Sequence, residues 1–143
     1  MSRVDKYDPE TGGFRVHVSA DYPDADLGKL FGFGVDANGK MIKGAGTSGV
    51  MGVWVCTEKP GVVGPLREVS RLDIMREGCI TDFDPVTPGV PGAAGTKYFV
   101  NGTTGVITAT AAVGLYYVGA TVEPDRLEVN FNPVPIIAGM FGL

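Results

Sequence analysis

The chain has 143 residues, close to the commonest size for a single domain, with 22 glycines and 10 prolines against 20% charged and 44% hydrophobic residues. That balance excludes a long-helix bundle, which tolerates neither Gly nor Pro in its helices, and a disordered chain, which needs less apolar and more charged sequence. The net charge is −4, from 12 basic and 16 acidic residues with no Lys/Arg-rich run, so the electrostatic footprint of a nucleic-acid binder is missing.

Residues 1 to 26 are polar and turn-rich, marked by Asp8-Pro9, Gly12-Gly13 and Tyr22-Pro23-Asp24, and are expected to form an extended N-terminal arm. Met1 to Asp8 lacks the apolar stretch of a signal peptide, and no apolar run approaches the roughly 18 residues of a spanning helix. A chain made in the cytoplasm, with no membrane partner, is the expectation. Within the arm, Phe14-Arg15-Val16-His17-Val18-Ser19 alternates with period two and reads as one short strand. Phe14, Val16 and Val18 present one apolar face, so the arm, with Tyr22, is expected to dock by adding a strand to an exposed sheet edge on a neighbour.

From about Leu27 to Asn132, short apolar runs alternate with turn signals every eight to twelve residues, the spacing of a small antiparallel β-barrel or sandwich. Leu30 to Asp36 and Lys40 to Lys43 flank Asn38-Gly39, which supplies the positive φ angles of a hairpin turn. Val50 to Thr57 is nearly continuous apolar sequence and reads as a central strand. Leu66 to Met75 is spaced for a helix at Leu66, Val69 and Leu72 but alternates as a strand at Leu72 and Ile74, and the strand is the reading adopted. Gly78 to Phe83 continues as a strand, and Asp84 to Gly95 is a Pro/Gly loop without periodicity, a contact element by its length. Strands follow at Thr96 to Val100, Val106 to Thr110, Leu115 to Val122 and Arg126 to Asn132, the last with Leu127, Val129 and Phe131 on one face. Pro133 to Leu143 is an uncharged apolar C-terminal tail that needs a covering surface. Ile136, Ile137, Met140, Phe141 and Leu143 are the expected oligomer interface, each copy laying its tail against the next.

Chemistry-bearing motifs are sparse. Gly44-Ala45-Gly46-Thr47-Ser48-Gly49 matches the dinucleotide fingerprint G-x-G-x-x-G, but a strand rather than a helix follows it, which makes it a flexible glycine turn. The single histidine, His17, lies on the polar side of the arm strand, away from any nucleophile, so no catalytic residue is expected. Asp82 with Asp84, and Asp21, Asp24 and Asp26, read as solvated turn aspartates rather than a carboxylate pair or a calcium loop. Cys56 and Cys79 sit in apolar settings and read as buried free thiols. With two cysteines and one histidine, no metal and no cofactor are expected. Asn101-Gly102-Thr103 reads as a hairpin turn. Trp54, Tyr98, Phe99, Tyr116 and Tyr117 suit either core packing or a glycan-binding platform, with one member of each adjacent pair facing inward.

Gly95-Thr96-Lys97-Tyr98-Phe99-Val100, then Thr104-Gly105-Val106-Ile107-Thr108, Tyr117-Val118-Gly119-Ala120-Thr121 and Leu127-Glu128-Val129, resemble the hairpin pattern of small tailed-phage capsid decoration, or head cement, proteins. Leu30-Phe31-Gly32-Phe33-Gly34-Val35 and Met75-Arg76-Glu77-Gly78-Cys79-Ile80 fall where that family has earlier strands, so the resemblance covers about Leu27 to Asn132. The arm, the Asp84 to Gly92 loop and the apolar tail depart from it. The resemblance implies a non-enzymatic β-rich globule on the capsid exterior, often a homotrimer at local three-fold positions. Its partners would be the major capsid protein and its own copies, with the arm as a capsid contact and the virion as its destination. Other readings are a head fibre base, a tail-tube component or a glycan-binding module.

Overall fold

The computed structural model describes residues 13–19, 22, 29–55, 71–81, 84–85, 94–123 and 126–143. Their regular structure is β, apart from one short 3-10 turn at Met140–Gly142. The strands are β1 (Gly13–Val18), β2 (Lys29–Val35), β3 (Lys40–Lys43), β4 (Gly52–Val55), β5 (Arg71–Met75), β6 (Glu77–Thr81), β7 (Asp84–Pro85), β8 (Lys97–Val100), β9 (Ile107–Thr108), β10 (Tyr116–Glu123) and β11 (Arg126–Asn130). They form two sheets, mostly antiparallel, as the turn spacing requires.

The first sheet runs β3-β1-β5-β4-β2-β7, and β3 pairs with β2 as well. The sheet therefore curls into a half-barrel whose ends meet at β3. The β2–β3 hairpin is set by local chemistry. Asp36 Oδ1 accepts hydrogen bonds from the backbone N–H groups of Asn38 (2.8 Å) and Lys40 (3.0 Å), and Gly39 takes φ +76°. Alternation along β2 then separates two cores. Phe31 and Phe33 turn to one face with Val18, Tyr22, Met41 and Ile74, while Leu30 turns to the other.

The second sheet, β6-β11-β10-β8-β9, is antiparallel throughout. Its inner face supplies Ile80, Tyr98, Val100, Ile107, Tyr116, Val118, Leu127 and Val129, which pack against Leu30 and Val53 of the first sheet, with Phe131 closing the end. The alternation expected for Leu127, Val129 and Phe131 holds, since all are buried between exposed Glu128 and Asn130. Thr121, the one buried polar residue among the described residues, keeps its hydroxyl bonded to the Thr96 backbone.

Three expectations change. The segment read as a loose arm is part of the half-barrel: β1 pairs with β5 along its antiparallel side, from Gly13 opposite Met75 to His17 opposite Arg71. On its other side His17 and Val18 pair in parallel with Lys40 and Met41. Val18 and Tyr22 are buried in the second core, and Val16 is half-buried against it. An apolar face at period two specifies a strand but not its neighbour, and here the neighbours lie within the chain. Cys79 is exposed rather than buried, because Ile80 takes the inward position and alternation turns the preceding residue outward. The Pro/Gly loop begins with a short strand, β7, parallel to Lys29 and Leu30. The strand reading of Leu66 to Met75 is met by β5 at Arg71–Met75. Residues 66–70, Cys56, Asp21, Asp24, Asp26, Asp82 and most of the Pro/Gly loop lie outside the described residues, as does the side chain of Phe14.

The glycine run 44–49 is a turn, as expected, and at Gly44 and Ala45 it packs closely against a second turn. The Gly44 N–H donates to Gly32 O (2.9 Å), Ala45 N–H to Gly102 O (2.5 Å) and Thr47 N–H to Val35 O (2.9 Å). A Cβ on Gly44 would stand 2.5 Å from Thr103 O, so the run serves backbone-to-backbone contact with the 102–105 turn. That turn is the expected hairpin. Asn101 Oδ1 accepts from Thr103 N–H (2.8 Å) and Thr104 N–H (3.1 Å).

Candidate interaction surface

After β11 the chain crosses the end of the second sheet, where Phe131 N–H donates to Arg76 O and Asn132 N–H to Tyr117 O. It then pairs with the turn before β10. Ile136 N–H donates to Leu115 O (2.8 Å), and Ile136 O accepts from Gly114 N–H (2.9 Å). This pairing drives Ile136 into the body of the domain, at 1% exposure, so Ile136 belongs to the fold of its own chain rather than to a free oligomer surface. Ile137, the next residue, is 63% exposed.

The last residues form a small closed turn. Met140 N–H donates to Ile137 O (3.2 Å), Leu143 N–H to Met140 O (2.9 Å) and Gly139 N–H to Leu143 O (2.6 Å). Gly139 (φ 96°) and Gly142 (φ 76°) take left-handed backbone without penalty, but Phe141 (φ 51°) takes it with a full side chain. Its ring explains the conformation. Phe141 meets Phe99 edge-on with centroids 5.2 Å apart and stacks on Tyr117 at 5.3 Å, while Phe99 and Tyr117 meet at 5.7 Å. The Lys97 Nζ sits 5.4 Å from the Phe141 centroid. Beneath this cover Phe99 is 2% exposed, and burial pushes the Tyr117 phenol above the ordinary tyrosine range. Gly95, Lys97, Phe99, Ala109, Ala111 and Phe141 line an open depression of about 450 Å³ beside the ring.

Val113, Val134, Ile137, Phe141 and Leu143 are all exposed, and the Gly114–Ile136 pairing brings their two segments together. Residues 109–115 and 131–143 carry no charged side chain. The result is an apolar surface at one end of the second sheet, with Lys97 as the charged group beside Phe141, and exposed apolar surface of this kind suits a contact. Val134 and, of the residues expected at an oligomer interface, Ile137, Met140, Phe141 and Leu143 are brought to this end, whereas Ile136 is buried. Val113 was not flagged by the sequence, although the uncharged run Ala109 to Leu115 was a usable sign. Lys97 was likewise missed.

The remaining site expectations are dispersed. Of the arm residues, Val18 and Tyr22 are in the core, and Lys43 Nζ lies 3.9 Å from the Phe31 centroid and 4.9 Å from that of Tyr22. His17 is exposed on β1. The five aromatic residues do not converge: Tyr98 and Tyr116 are in the core, Tyr116 stacked on Phe131 at 6.0 Å, Trp54 is half-buried with its Nε1 enclosed and unpaired, and Phe99 and Tyr117 pack with Phe141. Partial desolvation and the Glu128 carboxylate push the Cys79 thiol above its usual range. Among the described residues, no three His, Cys, Asp or Glu side chains converge as a metal site.

No family model matches the chain, and no curated protein is similar to it at a significant level. Among solved structures, a chain from Mycobacterium phage Patience superposes with a TM-score of 0.72 at 19% identity, covering 91% of this chain and 96% of that one. The two-sheet architecture is therefore a fold that this protein shares, almost from end to end, with a chain of a Mycobacterium phage.

Proposed function

We propose that this protein is a structural component of a bacteriophage virion that binds the outer surface of the assembled capsid and stabilises the head. The observation that carries the reading is the fold held in common with the phage chain over nearly the full length of both. The hairpin sequence pattern of capsid decoration proteins falls on β2, β5–β6, β8, β9, β10 and β11, the strands that build the core. A cementing protein needs a rigid body and an apolar contact surface. The two packed sheets supply the first, and the apolar end at Val113, Val134 and Ile137 supplies the second.

On this reading the partners are the major capsid protein and further copies of the chain, with a homotrimer as the expected assembly. Capsid contact is made by the 109–115 and 133–143 end of the molecule. Val18 and Tyr22 are withdrawn from it because they are buried within the domain. Binding by several linked copies gains avidity at a symmetric site, so modest contacts per copy suffice. Cosedimentation with heads that lack the protein tests the proposal. Saturable binding to assembled heads, with none to unassembled capsid protein, is the expected result. Polymerisation of the purified chain into tubes would instead identify a tail-tube component, and retention on a glycan array with no head binding would identify a glycan-binding module.

A further inference from the structure

We propose that the turn 137–143 is an exchangeable cover, which in the oligomer leaves its own Phe99–Tyr117 surface and seats Phe141 on the same surface of a second copy. The structure shows which side chain that surface accepts. Phe141 already fits it, edge-on to Phe99 at 5.2 Å and stacked on Tyr117 at 5.3 Å, with Lys97 Nζ 5.4 Å from the ring. Exchange of an identical element between copies recreates each of these contacts without requiring a new surface.

The attachment of the turn favours exchange. Its last described backbone hydrogen bonds to the body are those of Ile136 with Gly114 and Leu115. Beyond Ile136, the described backbone bonds are internal to residues 137–143, and the described ring contacts to the sheet are made by Phe141 alone. Gly139, at φ 96°, gives a pivot just before the anchor, while Ile136 holds the strand end in place. Closure within one chain is also incomplete. It leaves Ile137 63% and Leu143 43% exposed, apolar groups that a neighbouring copy would cover. No charged residue in 131–143 opposes the approach of two such segments.

The contact of the chain with itself stands apart from its binding to capsids, and the test needs no heads. In a background with Cys56→Ser and Cys79→Ser, chains carrying Lys97→Cys and chains carrying Leu143→Cys are co-expressed with distinguishable tags and treated with a short bis-maleimide. The expected product joins the two tagged chains, and its yield rises with protein concentration alongside the mass measured by light scattering. Phe141→Ala, with its β-type circular dichroism unchanged, is expected to need at least tenfold more protein to reach the same mass. An oligomer that gives no cross-link between the two tagged chains, or a wild-type chain that stays monomeric at every concentration, would overturn the proposal. So would a Phe141→Ala chain that associates as the wild type does.

Discussion

Val18 lies beside Met41 across the parallel β1–β3 ladder, and both side chains are completely buried. A strand near the start of the chain thus lines the half-barrel together with the β2–β3 hairpin and β5. Removing residues 1–19 is therefore expected to open the half-barrel and lower the urea midpoint sharply. Met41→Ala, which leaves a cavity in the same place, is expected to cost about 2–5 kcal/mol. A truncated chain with the wild-type midpoint would show that β1 contributes nothing to stability.

A second prediction concerns the backbone crossing over β2. Gly32 N–H donates to Gly105 O (2.8 Å) while Gly32 O accepts from Gly44 N–H (2.9 Å), so three segments meet at one strand position. A Cβ on Gly105 (φ 75°) would stand 2.5 Å from Gly32 O, whereas one on Gly39 (φ 76°) meets nothing within 4 Å. Gly39→Ala is expected to cost only the left-handed backbone penalty of about 1–2 kcal/mol. Gly105→Ala, with the same penalty plus a collision with backbone, is expected to cost roughly 2 kcal/mol more. Equal melting temperatures for the two variants would refute the crossing.

Adjacent isoleucines provide a third. Ile136 is enclosed and Ile137 is open, so Ile136→Ala is expected to destabilise the fold by about 2–5 kcal/mol. Ile137→Ser is expected to change stability by no more than about 0.5 kcal/mol while weakening self-association. Denaturant curves and light scattering on both variants check the division, and a reversed order of stabilities would sink it.

The fourth is a pH dependence. Burial raises the Tyr117 phenol above its ordinary value of 10.0, so the folded state keeps the proton longer than the unfolded chain does. The stabilisation from this group is complete below the unfolded value and is lost as pH climbs through the higher folded one. Carbon NMR of the tyrosine rings is expected to show Tyr117 ionising late, and deletion of 137–143 is expected to return it toward 10.0. A Tyr117 titration that ignores the deletion would mean that the turn does not cover it.

Much of the β architecture was legible because local chemistry dictates it. Asp36, Asn38 and Gly39 specify the β2–β3 hairpin without help from the rest of the chain, and Leu127, Val129 and Phe131 announce their buried face by alternation. Placement was harder to read. The apolar face of Val16 and Val18 fixes a strand, but its pairing with Leu72 and Met41 depends on contacts between distant parts of the sequence that period-two patterning does not encode. The tail shows the same limit from composition. Pro133 to Leu143 is uniformly apolar, and only the hydrogen bonds between Ile136 and the 114–115 turn decide which isoleucine goes inside. The glycine run 44–49 follows a phosphate-binding fingerprint in letters, yet its use here is close approach between two turns.

On the proposed function, this protein decorates the outside of a phage head. Cryo-electron microscopy of heads lacking the protein, imaged before and after mixing with the purified chain, tests it most directly. New density of this two-sheet shape is expected at regular positions on the capsid exterior, with its 109–115 and 133–143 end against the shell or a neighbouring copy. Heads that remain bare at saturating protein would contradict it.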